Sequence, residues 1–386
     1  MREERKTCAR WLRWPGACKS LAVMTLIDPE LARIVERAAP GARIVRAVTL
    51  SPDQSSRDDL ATAKATGYGI PVRIDVELEG SPRSFVLHGS TANQFGHDRR
   101  ADRAAEVLLA ADSFASIPQH VRALDVGAFR RDGSSVSLLD TGEFYLLTEY
   151  AEGEPYANDL RRIAGTRVAT AQDRERVLTL VDYLAALHGQ RLDGSLAYAR
   201  SLRDLLGSGE GIFGIVDAYP ADAPGAEAPT LQQLEQLCLS FRWRLKARRS
   251  RASRIHGDFH PFNVLFDERS RLRVLDTSRG SLGDPADDVS CLAINFVFFA
   301  LDAPDAWRAA FSGLWYELWE RYLQATRDRD LLEVVAPFLC WRALVLACPA
   351  WYPNMTAQAR ARLLDFARAA LTAERFEPAL AEAVFR

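Results

Sequence analysis

The chain has 386 residues, 48% hydrophobic and 26% charged, a globular make-up that excludes collagen-like, coiled-coil and wholly disordered chains. Its 49 basic and 51 acidic residues leave a net charge of -2, so no overall basic field points to nucleic acid. Lysine is confined to Lys6, Lys19, Lys64 and Lys246, and arginine carries nearly all the positive charge.

Residues 1–23 hold six basic side chains against two acidic ones and no apolar run long enough for a secretory signal. They read as a flexible basic extension, with the ordered sequence opening at Met24. DPELARIVERA predicts a helix with Asp28 as N-cap and Pro29 in its first position. ARIVRAVTL is strand-like and SPDQSSRDD a polar loop. IPVRIDVELEG and RSFVLHG alternate apolar and polar residues on either side of Gly80, Ser81 and Pro82, a hairpin pattern. A helix follows over RRADRAAEVLLAADS, stopped at residues 116–118, and the stretch from His120 to Gly153 predicts further strands. Beyond it the pattern turns helical. Val177, Leu180, Val181, Leu184 and Leu187 share one face, with Asp173 as the cap. Residues 207–230 read as a loop, 231–249 as a helix, and the chain past 286 as helical to its end. It thus divides into a small β-rich part, residues 24–150, and a larger helical part, residues 151–386. The longest apolar stretch, residues 293–301, is too short to span a bilayer. Six scattered cysteines without a CxxC predict reduced thiols and a cytoplasmic protein.

The chemistry concentrates in RIHGDFHPFNVLFDERSRLRVLDTSRGSLGDPADD, residues 254–288. NVLF and LRVLD are strand-like about the polar turn DERS, so the segment reads as a hairpin. A symmetric hairpin centred between Arg269 and Ser270 sets Asn263 opposite Asp276, on strands about 5 Å apart. A carboxamide oxygen and a carboxylate there suit Mg²⁺, with positions left for water and phosphate. Asp258 lies five residues before Asn263, in a turn tightened by Gly257 and Pro261 that holds its carboxylate beside the pair. Phosphoryl transfer needs such a set: a base for an attacking hydroxyl beside a cation that neutralises phosphate charge.

HGDFHPFNVLF, followed by LD and LGDPADD, resembles the aminoglycoside phosphotransferase and choline kinase-like family, relatives of the protein kinases. The family pattern is HGD-x-H-xx-N-x-(L/I), an Asp at a strand end, then GDP-xx-D. The resemblance, over residues 40–300, implies an α+β, two-lobed protein-kinase-like fold with a small β-rich N-terminal nucleotide-binding lobe. The larger, mainly helical C-terminal lobe would hold catalysis and substrate. Asp258 matches the catalytic Asp, and Asn263 and Asp276 match the metal ligands. His256 and His260 match histidines that brace the loop; Asp284 and Asp288 match acids that hold the C-terminal lobe. LAALH at residues 184–188 belongs to the same match. YLLTEYAEGEP is similar to the family's hinge, which would bring backbone at Glu149, Tyr150 and Ala151 to the adenine. The resemblance implies ATP or GTP with Mg²⁺, and a small molecule whose hydroxyl accepts the phosphoryl group.

Two positions depart from that pattern. Ser278 stands two residues after Asp276, where the family often has D-x-D or DFG-like residues. In RSFVLHGS, similar to the family's third strand, His88 stands where the phosphate lysine is expected, and no lysine lies between Lys64 and Lys246. Glu106 matches the lysine's acidic partner, so His88 and Glu106 are the expected nucleotide contacts, with Arg73 or Arg83 as other sources of charge. Gly67 and Gly69 make no full nucleotide fingerprint, and a Walker motif is absent.

Two rival functions stay open. The exchange to His88 would suit a degenerate kinase that binds nucleotide without catalysis. His256 and His260 about Asp258 would suit a zinc hydrolase, with no third histidine near in sequence. The acid-free basic run over residues 242–254 reads as a solvated helix face rather than an RNA patch. Phe311, Trp315, Leu318 and Tyr322 share a helical face, with Trp319 adjacent, and read mainly as core. With Glu317 and Glu320, or with Trp351 and Tyr352, such rings would also suit a cationic amine acceptor.

Overall fold

The computed structural model describes residues 29–50, 71–192, 195–277 and 279–386. The basic extension, Met24, Asp28, Lys64, Gly67, Gly69 and Ser278 lie outside these residues, and so do the expectations placed on them. Two compact units divide between Leu147 and Thr148.

In the first unit, helix α1 (Pro29–Ala38) precedes strands β1 (Arg43–Thr49), β2 (Val72–Leu78) and β3 (Ser81–Leu87), paired antiparallel in that order. Alternation turns Ile74 and Val76 inward, where they meet Ile44 and the Leu31 and Val35 side of α1. The β2–β3 turn is tighter than the sequence suggested. Leu78 pairs with Ser81, and Glu79 and Gly80 both take positive φ, 51° and 73°. Two such residues make a primed turn, whose twist matches that of the strands, so Ser81 and Pro82 belong to β3. Helix α2 (Arg100–Phe114) follows. Of the strands expected between His120 and Gly153, only β4 (Gly127–Phe129) and β5 (Ser135–Ser137) form, as a short antiparallel pair. The aromatic and aliphatic run at residues 144–147 carries no pairing, because strand-forming side chains make a strand only beside a partner.

The second unit runs through β6 (Glu154–Pro155), α3 (Tyr156–Thr166), α4 (Ala171–His188), α5 (Ser195–Gly207), α6 (Ile212–Asp217) and α7 (Ala228–Lys246). Strands β7 (Ser253–Arg254), β8 (Val264–Phe266), β9 (Leu272–Val274) and β10 (Leu282–Gly283) come next. Helices α8 (Ala286–Ala300), α9 (Ser312–Thr326), α10 (Ala336–Ala347) and α11 (Ala357–Thr372) complete it, with shorter helical turns between and after. The strands make two small antiparallel sheets, β6–β8–β9 and β7–β10.

Helix α4 buries Val177, Leu180, Val181 and Leu184, the face its period predicts, but its cap differs. Thr170 is the N-cap. Asp173 stands at the third helical position, where Oδ2 accepts the Thr170 backbone N–H at 2.7 Å and its own N–H reaches Thr170 Oγ1 at 3.3 Å, a capping box. Residues 207–230 are not a plain loop. They contain α6 and bury Ile212, Ile215, Tyr219, Ala223 and Ala226. Gly211, Gly214 and Gly225 serve close approach: a Cβ on Gly225 would stand 2.1 Å from Ala357 O.

Phe311, Trp315, Leu318, Trp319 and Tyr322 are all buried in the main core, so they offer no ring face to a cationic acceptor. The basic run is also corrected past Lys246, where α7 ends: Arg254 is half-buried in β7 and donates to Ser281 Oγ at 3.0 Å. Arg251, only 4% exposed, grips both Asp284 oxygens at 2.9 Å and Asp328 Oδ1 at 2.6 Å. Cys238, Cys291, Cys340 and Cys348 are buried free thiols. No helix among the described residues is long and apolar enough to cross a membrane.

Candidate active site

The loop between β7 and β8 carries His256, Gly257, Asp258 and His260, and α8 pins it. Asp288, wholly buried in the first turn of α8, accepts the His256 N–H on Oδ2 at 2.7 Å and the Gly257 N–H on Oδ1 at 2.8 Å. His188, the last residue of α4, meets Asp288 Oδ2 through Nε2 at 3.1 Å and the Tyr322 hydroxyl through Nδ1 at 2.7 Å. Burial alone would raise the Asp288 carboxyl, but His188 and the two backbone donors hold it below its ordinary value. Asp284 plays the companion part, accepting from Arg251, from the Tyr198 hydroxyl at 2.9 Å and from the Ala286 N–H at 2.9 Å.

Gly257 turns the loop with φ +84°, and a Cβ there would stand 2.6 Å from Gly280 O. Gly257→Ala is expected to lower stability by about 1–3 kcal/mol, from left-handed strain together with the clash. A urea midpoint equal to wild type would show that the loop tolerates a side chain there.

Past that turn the Asp258 carboxylate sits between two guanidinium groups. Oδ1 accepts from Arg342 Nη1 at 3.1 Å and from Arg279 Nη2; Arg279 also donates to Gly257 O from Nε at 2.9 Å. Oδ2 is held loosely, with Asn263 Nδ2 at 3.4 Å and His260 Nε2 at 3.7 Å. Burial pushes this carboxyl up, and the charges of Arg342 and Arg279 outweigh it, leaving the group below the ordinary carboxylate range. His260 is held below its usual value by burial, against the pull of Asp258. His256 Nδ1 accepts the Asp258 N–H at 3.3 Å and His260 Nδ1 the Phe262 N–H at 3.1 Å, so both rings brace the loop. Among the described residues, no three His, Cys, Asp or Glu side chains are placed to hold one metal ion.

The hairpin register differs by one residue from the symmetric expectation. Val264 pairs with Val274, and the Leu275 N–H donates to Asn263 O at 2.8 Å, so Leu275 stands opposite Asn263. The cause is the turn. Asp267 and Arg271 enclose a three-residue loop whose last member, Ser270, has φ +55°, and an odd loop moves the centre of the hairpin to Arg269. Asp276 comes one step later with φ +51°, at the point where the strand has ended. Asn263 Nδ2 is used by Asp258, on the backbone carbonyl at 3.1 Å.

In the first unit, His88 lies one residue beyond β3, and no hydrogen bond or ion pair among the described residues joins it to Glu106. Glu106 Oε2 instead accepts from the Ser90 hydroxyl and lies 3.9 Å from His97 Nε2. Glu149 and Tyr150 are exposed and Ala151 half-buried, all three outside any strand. Sequence reasoning missed Arg279, Arg342 and Asp287, the last accepting from Arg342 Nη2 at 2.5 Å. One signal was available: Arg342 is the lone charge in the apolar helix APFLCWRALVLA.

A sequence profile described as "Phosphotransferase enzyme family" matches residues 92–329, more than half of the chain. The chain belongs to this family. The match includes the whole of the HGDFHPFN loop and the hairpin of this phosphotransferase-family chain, while His88 and Arg342 fall outside it. The fold is accordingly the α+β protein-kinase-like one. No protein of curated function matches the sequence. Among solved structures, a glucosamine kinase is 18% identical with a TM-score of 0.39, the match covering 56% of this chain and 58% of that one. The family member described here thus spans little more than half the length of that kinase. The choline kinase LicA from Streptococcus pneumoniae is 10% identical with a TM-score of 0.34, over 88% of this chain and 97% of that one. An ADP-bound aminoglycoside phosphotransferase, APH(2'')-Ib, is 14% identical with a TM-score of 0.31, over 90% and 97%.

Proposed function

We propose that this protein transfers the terminal phosphoryl group of ATP, or of GTP, to a hydroxyl of a small molecule. The observation that carries the reading is the Asp258 carboxylate, kept ionised by two guanidinium groups on a loop pinned by Asp288. One of its oxygens is lightly held and able to meet a hydroxyl. A carboxylate so stabilised is a weak base. Transfer through a loose transition state asks little activation of the nucleophile, so orienting the hydroxyl is the larger part of Asp258's role and accepting its proton the smaller.

Asn263 and Asp276 offer oxygen donors, which suits Mg²⁺, and the engagement of Asn263 Nδ2 by Asp258 leaves Oδ1 as the atom for a cation. When bound, Mg²⁺ would neutralise phosphate charge. Backbone at Glu149, Tyr150 and Ala151 is assigned to the adenine, and His88 with Glu106 to the phosphates. Buried free cysteines support a reducing, cytoplasmic setting.

Acceptor-dependent ADP or GDP release, measured over a panel of hydroxyl compounds with Mg²⁺, tests the reading. Nucleotide-dependent thermal stabilisation without turnover would favour a degenerate kinase. Chelator-sensitive hydrolysis without nucleotide would favour the zinc enzyme. His88→Ala is expected to raise the KM for ATP about tenfold, the effect of one lost hydrogen bond to a charged group. An unchanged KM in that variant, with a raised one in His97→Ala, would move the phosphate contact to the histidine that stands beside Glu106.

A further inference from the structure

We propose that Arg342 is a positioning residue for the transfer: anchored by Asp287, its guanidinium fixes Asp258 Oδ1 and thereby leaves Oδ2 as the oxygen that meets the acceptor hydroxyl. The proposal rests on the reading of Asp258 given above. It also adds an element that neither the loop motif nor the matched residues 92–329 contain.

Arg342 is the only charged residue in α10, a helix whose other residues are apolar, and it is 5% exposed. Packing gives no reason for a guanidinium there, since burying a charge costs several kcal/mol unless it is paired in good geometry. The pairing explains it. Nη2 donates to Asp287 Oδ1 at 2.5 Å, and Nη1 donates to Asp258 Oδ1 at 3.1 Å. The guanidinium lies over the Trp341 ring, 4.0 Å from its centroid, and the Trp341 indole N–H is itself tied to Glu210 O at 2.7 Å. Its plane is thus fixed by a carboxylate on one side and an aromatic face on another. Such a group has little freedom to follow a wandering partner, so it sets the position of Asp258.

Arg279 also lies against Trp341, 4.7 Å from the ring centroid, and donates twice to Gly257 O, so what sets it apart is its exposure. It reaches the same Oδ1, but it is 23% exposed on its side chain and lies 3.8 Å from the exposed carboxylate of Glu210. With both arginines on Oδ1, the more weakly held Oδ2 is the free corner of the carboxylate. Asp287 has the remaining part: it keeps Arg342 in place.

The test compares Arg342→Met, Arg342→Lys and Asp287→Asn with wild type. Arg342→Met is expected to lower kcat about 100-fold, the usual cost of a reacting group displaced by about 1 Å, with the KM for nucleotide within about twofold. Arg342→Lys should recover about tenfold of that loss, and Asp287→Asn should lose about tenfold with the same unchanged KM. A crystal structure of Arg342→Met, or of Asp287→Asn where the first variant does not fold, should find the Asp258 carboxylate moved from its wild-type position. That readout is independent of turnover, so an inactive wild type would count against the phosphotransferase reading and leave the positioning claim to be decided by the coordinates. An unmoved Asp258, wild-type kcat in Arg342→Met and Asp287→Asn, or a loss confined to the KM for nucleotide would overturn the proposal.

Discussion

Asp258→Asn is expected to lower turnover by about 10²–10⁴-fold, the range for loss of a positioned acid or base, while magnesium–nucleotide affinity stays within about twofold. The amide preserves the shape of the side chain, so the loop held by Asp288 should keep its course. It removes the negative charge that Arg342 and Arg279 surround, and it replaces an oxygen that accepts from the hydroxyl with a group that can turn its NH₂ outward. Asp276→Asn should separate from it kinetically. There the lost charge is assigned to the cation, so the KM for magnesium–nucleotide should rise by about 10–100-fold, with the larger rise at low Mg²⁺. Isothermal titration with a non-hydrolysable nucleotide, beside steady-state rates, distinguishes the two. Wild-type turnover in Asp258→Asn would remove Asp258 from the reaction, and loss of nucleotide binding there would move it to the metal.

The loop and its hairpin were legible because their constraints are local. Gly257, Asp258 and Asn263 lie within seven residues, and the turn chemistry of such a segment is written in its own letters. The partners of Asp258 were not legible for the opposite reason. Arg279 reaches it from 21 residues away and Arg342 from 84, and no local period announces a contact between a loop and a distant helix. The lone arginine in APFLCWRALVLA was a usable sign, since a buried charge must have a partner even where its identity is hidden. Register failed by one residue because the letters around DERS do not say whether the loop centres on Arg269 or between Arg269 and Ser270, and the three-residue loop with Ser270 at positive φ decides it. Glycine misled over residues 207–230 for a related reason: the letter is the same for a free turn and for a backbone pressed against a neighbour. The strand-like run before Thr148 shows the limit from the other side, because propensity does not supply a pairing edge.

Asp288→Ala is expected to destabilise the second unit by about 2–6 kcal/mol, the cost of two buried backbone donors left unpaired, and to abolish activity together with the loop. Three donors converge on this fully buried carboxylate: the N–H groups of His256 and Gly257, and His188 Nε2. Alanine leaves both backbone donors without a partner, at about 1–3 kcal/mol each, and leaves His188 held only at Nδ1. Asparagine is not a safe substitute. It has one acceptor oxygen for the donors on two sides, and its NH₂ would face an N–H, so Asp288→Asn should recover only part of the loss. The deficit should depend on pH with a definite sign. The folded-state value for Asp288 lies below its ordinary 3.8, so the folded protein binds fewer protons there than the unfolded chain. The stabilisation is therefore complete above about pH 4 and is lost as the pH falls through the folded-state value. Urea midpoints for wild type and Asp288→Ala should differ most near neutrality and converge in acid. A gap that stays constant down to pH 3 would mean that the alanine acts through the cavity it leaves rather than through the lost carboxylate, and the loop would then owe its position to packing.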